Sequence, residues 1–80
     1  MPIVLRIGPY KLFFYSNEGH PLKAPHIHVR GGGGEAKLSL MPPCEVLESA
    51  GYTSSNLRVI RNLVYENRET LIGAYHEYFS

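Results

Sequence analysis

Two alternating segments face each other across a run of glycine: His26-Ile27-His28-Val29-Arg30, then Gly31 to Gly34, then Glu35-Ala36-Lys37-Leu38-Ser39-Leu40. Period two is the signature of a strand with one buried and one polar face. Ile27 and Val29 point one way, as do Ala36, Leu38 and Leu40. His26, His28 and Arg30 point the other way, with Glu35, Lys37 and Ser39. The segments therefore form an antiparallel hairpin. A four-residue loop predicts Arg30 opposite Glu35, His28 opposite Lys37 and His26 opposite Ser39.

The rest of the chain divides around this hairpin. Ile3–Ile7 is apolar and partly β-branched and ends at Gly8-Pro9. Residues 10–15 are aromatic on both faces, which predicts a central strand covered on both sides. Residues 16–25 carry the breakers Asn17, Gly19, Pro21 and Pro25 and predict a loop. Pro42-Pro43 turns the chain, and residues 44–48 predict a short edge strand. Thr53 or Ser54 can cap a helix by accepting a backbone N–H. Leu57, Ile60, Val64, Leu71, Tyr75 and Tyr78 recur at three- and four-residue spacing as one apolar stripe. Asn67 is a poor helix-interior residue and marks a kink or a break. The expected fold is α+β: an antiparallel sheet of four or five strands, followed by one long or two short helices packed on one face. The Ile27/Val29/Leu38/Leu40 face and the Leu57/Ile60/Val64/Leu71 stripe should make the core together.

Eighty residues suffice for a single domain spanning 1–80. The net charge of +1 excludes a strongly basic nucleic-acid arm and an acidic tail, though not a local basic patch. Cys44 is the only cysteine, which rules out an internal disulfide and an all-cysteine zinc site. A reducing compartment fits, and with no targeting segment or bilayer-spanning run the cytoplasm is the expected location. The chain has no Asp, so an Asp-supported catalytic triad is excluded, although Glu could replace it. Buried and inert is the expected state of Cys44.

Two places could carry chemistry. On a strand, His26 and His28 project into one space, where they could begin a metal site or supply an acid–base pair. Zinc wants three or four protein ligands, and the third would come from His20, Glu35, Cys44 or His76, none at a diagnostic spacing. The plain alternative is a pair of histidines on the polar face of a hairpin. Along the helix, Arg58, Arg61, Tyr65 and Arg68 project within roughly 80° of one another if the helix is continuous. Guanidinium groups beside an aromatic ring can hold phosphate and base, or dock an acidic partner segment. The plain alternative is a solvated helix edge, helped by Glu66 and Glu69. The glycine tract lacks the Lys-Ser/Thr ending of a phosphate loop and reads as a flexible hairpin tip.

The run Pro25-His26-Ile27-His28-Val29 follows Phe13-Phe14-Tyr15-Ser16-Asn17-Glu18 and precedes Glu35-Ala36-Lys37-Leu38, and the chain closes with Glu66-Asn67-Arg68-Glu69 and Glu77-Tyr78-Phe79. Over nearly its whole length this resembles a small prokaryotic family labelled as a domain of unknown function. The chain departs from the family pattern in its four-glycine tip and in Tyr75, where relatives more often carry Trp. The resemblance implies a toxin of a toxin–antitoxin pair, encoded beside a small antitoxin or DNA-associated partner. It supplies no agreed catalytic residues.

Three functional readings follow. In the first, the protein acts on RNA or the translation machinery as a metal-independent ribonuclease. His26 and His28 shuttle protons, while Arg30, Lys37 or Arg61 stabilises the charged transition state. The low net charge weighs against it. In the second, a non-enzymatic module binds a small partner protein through a strand edge or the helix flank, with a homodimer through the same surfaces as a variant. In the third, His26 and His28 hold a metal. No organic cofactor is expected.

Overall fold

The computed structural model describes residues 3–15 and 24–79. Most of the expected 16–25 loop, with His20, lies outside the described residues. Five strands are followed by two helices: β1 (Ile3–Ile7), β2 (Tyr10–Phe13), β3 (His26–Gly31), β4 (Gly34–Ser39), β5 (Val46–Ala50), α1 (Ser54–Glu66) and α2 (Arg68–Phe79). The strands lie in chain order β1-β2-β3-β4-β5, and every neighbouring pair is antiparallel. This is the expected α+β architecture, with five strands and a divided helix.

The β3–β4 register is the one the alternation predicts: Arg30 opposite Glu35, His28 opposite Lys37 and His26 opposite Ser39. The tip differs from expectation. Gly31 pairs with Gly34, so the connection is a two-residue turn through Gly32 and Gly33, with φ of 65° and 92°. Nor is the tip a loose end. A Cβ on Gly31 would overlap the carbonyl oxygen of Pro9, and one on Gly34 would lie 2.6 Å from the carbonyl oxygen of Ala50. The tip is clasped between the β1–β2 turn and the end of β5. Tyr52 locks it by donating its hydroxyl to the Gly31 carbonyl at 2.6 Å while its ring meets Tyr10 edge-on.

The expected strand over residues 44–48 begins later, at Val46. Cys44 adopts φ 60° and its N–H donates to the Met41 carbonyl, so it belongs to the preceding turn. β2 is an interior strand, as its aromatic character predicts, but it ends at Phe13, and among the described residues helices cover one of its faces, not both.

Thr53 caps α1, accepting from the Asn56 N–H while the Asn56 side chain accepts from the Thr53 N–H. The helix stops at Asn67, whose amide Nδ2 donates to the Leu63 carbonyl at 2.8 Å. The amide shares that carbonyl with the Asn67 backbone N–H at 3.2 Å, and the same N–H also reaches the Val64 carbonyl, the bifurcated pattern of a helix end. α2 restarts at once, with Leu71 N–H donating to the Asn67 carbonyl.

Both helices cover one face of the sheet. Leu12, Phe14, Ile27, Val29, Leu38 and Leu40 pack with Ile60 and Val64 of α1 and Leu71 and Tyr75 of α2. Phe14 adds edge contacts to the rings of Tyr75 and Phe79. Two members of the expected stripe are less engaged: Leu57 is half-buried, and Tyr78 is 40% exposed although its ring stacks on Phe14. Cys44 is fully buried in this core, and burial pushes its thiol pKa up against the opposing pull of Arg68 and Arg61. The burial expected of it is thus observed. Among the described residues no helix is long and apolar enough to cross a membrane.

Two predictions concern the clasped tip. Gly31→Ala combines an overlap with Pro9 and a φ of 134°, whereas Gly33→Ala at φ 92° meets open space. The first should cost more than about 2 kcal/mol and the second about 1 kcal/mol. In thermal unfolding, Gly31→Ala should lower Tm by roughly 10 °C or more and Gly33→Ala by about half that. Burial, first, and then the neighbouring Tyr10 and Glu35 raise the Tyr52 pKa, so the folded state favours the neutral phenol. Its contribution is complete below the unfolded value near 10 and is lost as pH rises through the higher folded value. Tyr52→Phe should therefore cost about 1 kcal/mol at neutral pH. It should also flatten the fall in denaturant midpoint above about pH 10.

Candidate functional site on the open sheet face

With both helices on one side, the alternate residues of the strands line a second, helix-free face. Cross-strand pairing orders them into rows. Arg6, Lys11, Arg30, Glu35 and Ala50 occupy consecutive strands in one row. Phe13, His28, Lys37 and Glu48 make the next. His26 and Ser39 follow. Neighbouring strands stand about 4.8 Å apart, so Arg6, Lys11 and Arg30 place three cations within roughly 10 Å. Arg6 and Lys11 extend the Arg30 surface beyond the residues singled out by motif. The signal that finds them is the Gly8-Pro9 turn, which sets Arg6 opposite Lys11 once β1 and β2 are paired.

The second row is aromatic on its β2–β3 side. The His28 ring stacks on Phe13 with centroids 5.6 Å apart, and Tyr15 meets it edge-on at 4.5 Å. Arg30 lies against this cluster, its guanidinium carbon 5.7 Å from the Phe13 centroid and Nη2 donating to the Tyr15 hydroxyl at 3.4 Å. Phe13 is only 3% exposed beneath them, whereas Tyr15 and His28 remain half-buried and present surface to solvent. Tyr15 and Phe13, read from sequence as core residues, thus serve the open face as well.

An open groove of about 330 Å³ runs between this aromatic cluster and the β4–β5 side. Its walls include Phe13, Tyr15, His28, Glu35, Lys37 and Glu48. Ala50, with a single methyl on the edge strand, keeps the outer end shallow. Arg30 and Glu35 are paired at 3.1 Å, and Lys37 and Glu48 at 3.8 Å. The first pair has side chains 51% and 58% exposed, and Glu48 is 76% exposed. Pairs this wet are worth under about 1 kcal/mol, so an incoming ligand can rearrange them at little cost.

The two histidines share this face, with ring centroids 5.4 Å apart, but they are not equivalent. His28 fronts the groove. His26 is 5% exposed, with Nδ1 3.1 Å from the Ala24 carbonyl oxygen. A proton shuttle needs both groups in reach of substrate, and the arrangement offers His28 alone at the surface. Among the described residues no set of three His, Cys, Asp or Glu side chains could hold a metal. Cys44 and His76 lie with the helices on the other side of the sheet, and Glu35 is engaged with Arg30. His20 lies outside the described residues.

The helix-flank residues are partly spoken for. Arg68 stacks its guanidinium 4.0 Å above the Tyr65 ring and donates to the Tyr65 carbonyl at 2.7 Å. Arg61 Nε donates to the Pro43 carbonyl at 3.3 Å, and Arg58 is exposed. The break at Asn67 divides this flank, so the four residues do not form one continuous helical edge. The open sheet face therefore gathers cations, carboxylates and aromatic rings in adjacent rows, which the divided helix flank does not.

No curated protein and no solved structure matches the chain. A sequence model of one family does match, over residues 10–76, which takes in both the aromatic strand and the two helices. The chain belongs to the family described as Domain of unknown function (DUF4160).

Proposed function

We propose that this protein is a toxin-type component of a toxin–antitoxin pair that engages single-stranded RNA through the helix-free face of its sheet. The toxin role follows from the family resemblance. The RNA reading is carried by one observation: the cationic row Arg6–Lys11–Arg30 runs beside the Phe13–Tyr15–His28 cluster on a face that no helix covers. Cations on adjacent strands track a phosphate backbone, and aromatic rings beside them receive unstacked bases. The low net charge of the whole chain is compatible with this, because the paired strands concentrate four cations against two carboxylates on that face. Lys37 and Arg30 are the contacts to phosphate and base nearest His28. Cleavage by paired imidazoles is not part of the reading, since His26 is buried beneath the surface that RNA would touch.

Anisotropy of a labelled single-stranded RNA of about 12 nucleotides tests it. Binding should weaken with salt, with a log–log slope near −2 for three phosphate contacts. Lys11→Gln combined with Arg30→Gln should lower affinity at least about tenfold at low salt, and Arg58→Gln with Arg61→Gln by less than about twofold. Absence of binding at about 50 mM salt, or a larger loss from the helix pair, would remove the proposal.

A second surface supports a protein partner. The outer edge of β5 closes the sheet with no neighbouring strand among the described residues, and Leu47 on it is 50% exposed. A small antitoxin could add a strand there while leaving the RNA face open. Co-elution with the neighbouring gene product should be lost in Leu47→Pro, which removes a backbone donor from the edge. Co-elution unchanged by that substitution would place the partner elsewhere.

A further inference from the structure

The groove between the aromatic cluster and β5 has a chemistry narrower than general RNA binding. Resting on the RNA-binding reading above, we infer that this groove selects guanine. A volume of about 330 Å³ lies at the small end of ligand pockets, the scale of one nucleotide and not of a run of stacked bases. One wall is the half-buried ring pair Tyr15 and His28, against which a single base can stack.

The opposite side supplies two polar groups of opposite sign. Lys37 reaches along the sheet, 28% exposed, with Nζ 3.8 Å from Glu48 Oε2. That separation is loose for a charge-assisted bond. The Glu48 carboxylate is 76% exposed and free to turn toward the groove that it lines. Glu35, the other carboxylate of the groove, is engaged by Arg30 at 3.1 Å.

An ammonium donates and a carboxylate accepts, so the base that fits must offer an acceptor next to two donors. Guanine does so: N1–H and the N2 amine face a carboxylate as a bidentate pair, and O6 faces the ammonium. Adenine presents an acceptor at N1, where Glu48 would repel it. Cytosine presents acceptors at N3 and O2. Uracil has a single N–H between two carbonyls and can satisfy only one carboxylate oxygen. Guanine can thus take over the Lys37–Glu48 pair with both the ammonium and the carboxylate satisfied.

The experiment uses the full-length chain and labelled eight-nucleotide RNAs: uridine, adenosine and cytidine homopolymers, a uridine–guanosine repeat, and the same repeat with inosine for guanosine. Inosine keeps N1–H and O6 but lacks the N2 amine. The guanosine repeat should bind at least about tenfold more tightly than the homopolymers, and inosine should lose about fivefold of that, the range of discrimination carried by a good bidentate pair. Glu48→Gln, at an exposed edge position, should bring the guanosine and inosine repeats within about twofold of each other, because a carboxamide cannot accept both protons. Circular dichroism of the variant checks that the fold is intact. Equal binding of all the RNAs, or a guanosine preference that survives Glu48→Gln, overturns the guanine assignment and leaves RNA binding standing. Failure to bind any of them overturns the RNA reading itself.

Discussion

At the tip of the β3–β4 hairpin Gly31 sits opposite Gly34, with Pro9 pressed against one and Ala50 against the other. A side chain at either position would force three strands apart. That contact pins the register of the hairpin from its closed end, and register decides which residues face the helices. A slip by one residue would turn Ile27, Val29, Leu38 and Leu40 outward and bury Arg30, Lys37 and His28. The hydrophobic core and the polar face are therefore two results of one alignment. The Tyr52 hydroxyl on the Gly31 carbonyl ties the same point to the chain that leads into α1, so helix docking and strand register reinforce each other.

The helix-free face balances its charges unevenly across the strands. Toward β1 the cations Arg6, Lys11 and Arg30 stand close together, whereas toward β5 Glu35 and Glu48 answer Arg30 and Lys37. A phosphate chain would favour the first half, and the edge of a base the second. The aromatic cluster lies between them. Its Phe13 is sealed beneath Tyr15, His28 and Arg30, and contacts of this kind restrict the rotamers of the rings above it.

Much of this was legible in the residues. Period-two alternation around the glycines predicts the hairpin, its register and the shared face of His26 and His28, because backbone geometry leaves strands no other way to place successive side chains. Asn67 announces the helix break, and there its side-chain amide joins its backbone N–H on the Leu63 carbonyl while that N–H also reaches Val64. What the chain order hides is contact between distant segments. The glycine run reads as a mobile loop until Pro9 and Ala50 are seen to need its missing side chains. Edge-strand bounds shift because Cys44 is held in a turn by Met41, a local bond with no periodic signature. His26 and His28 look equivalent in sequence, yet one ring is 5% exposed and the other fronts the groove. Lys11 and Arg6 carry no motif and become part of the site only through pairing across two turns.

The alternation of β2, β3 and β4 has a last consequence for how such a protein can change. On β3 and β4, His28 and Lys37 on the open face are each flanked along the strand by buried residues, Ile27 and Val29 or Ala36 and Leu38. Lys11, Lys37 and Glu48 are all partly or fully accessible and contribute little to cohesion. Selection can rewrite them one at a time, altering what the surface accepts while the scaffold goes on folding.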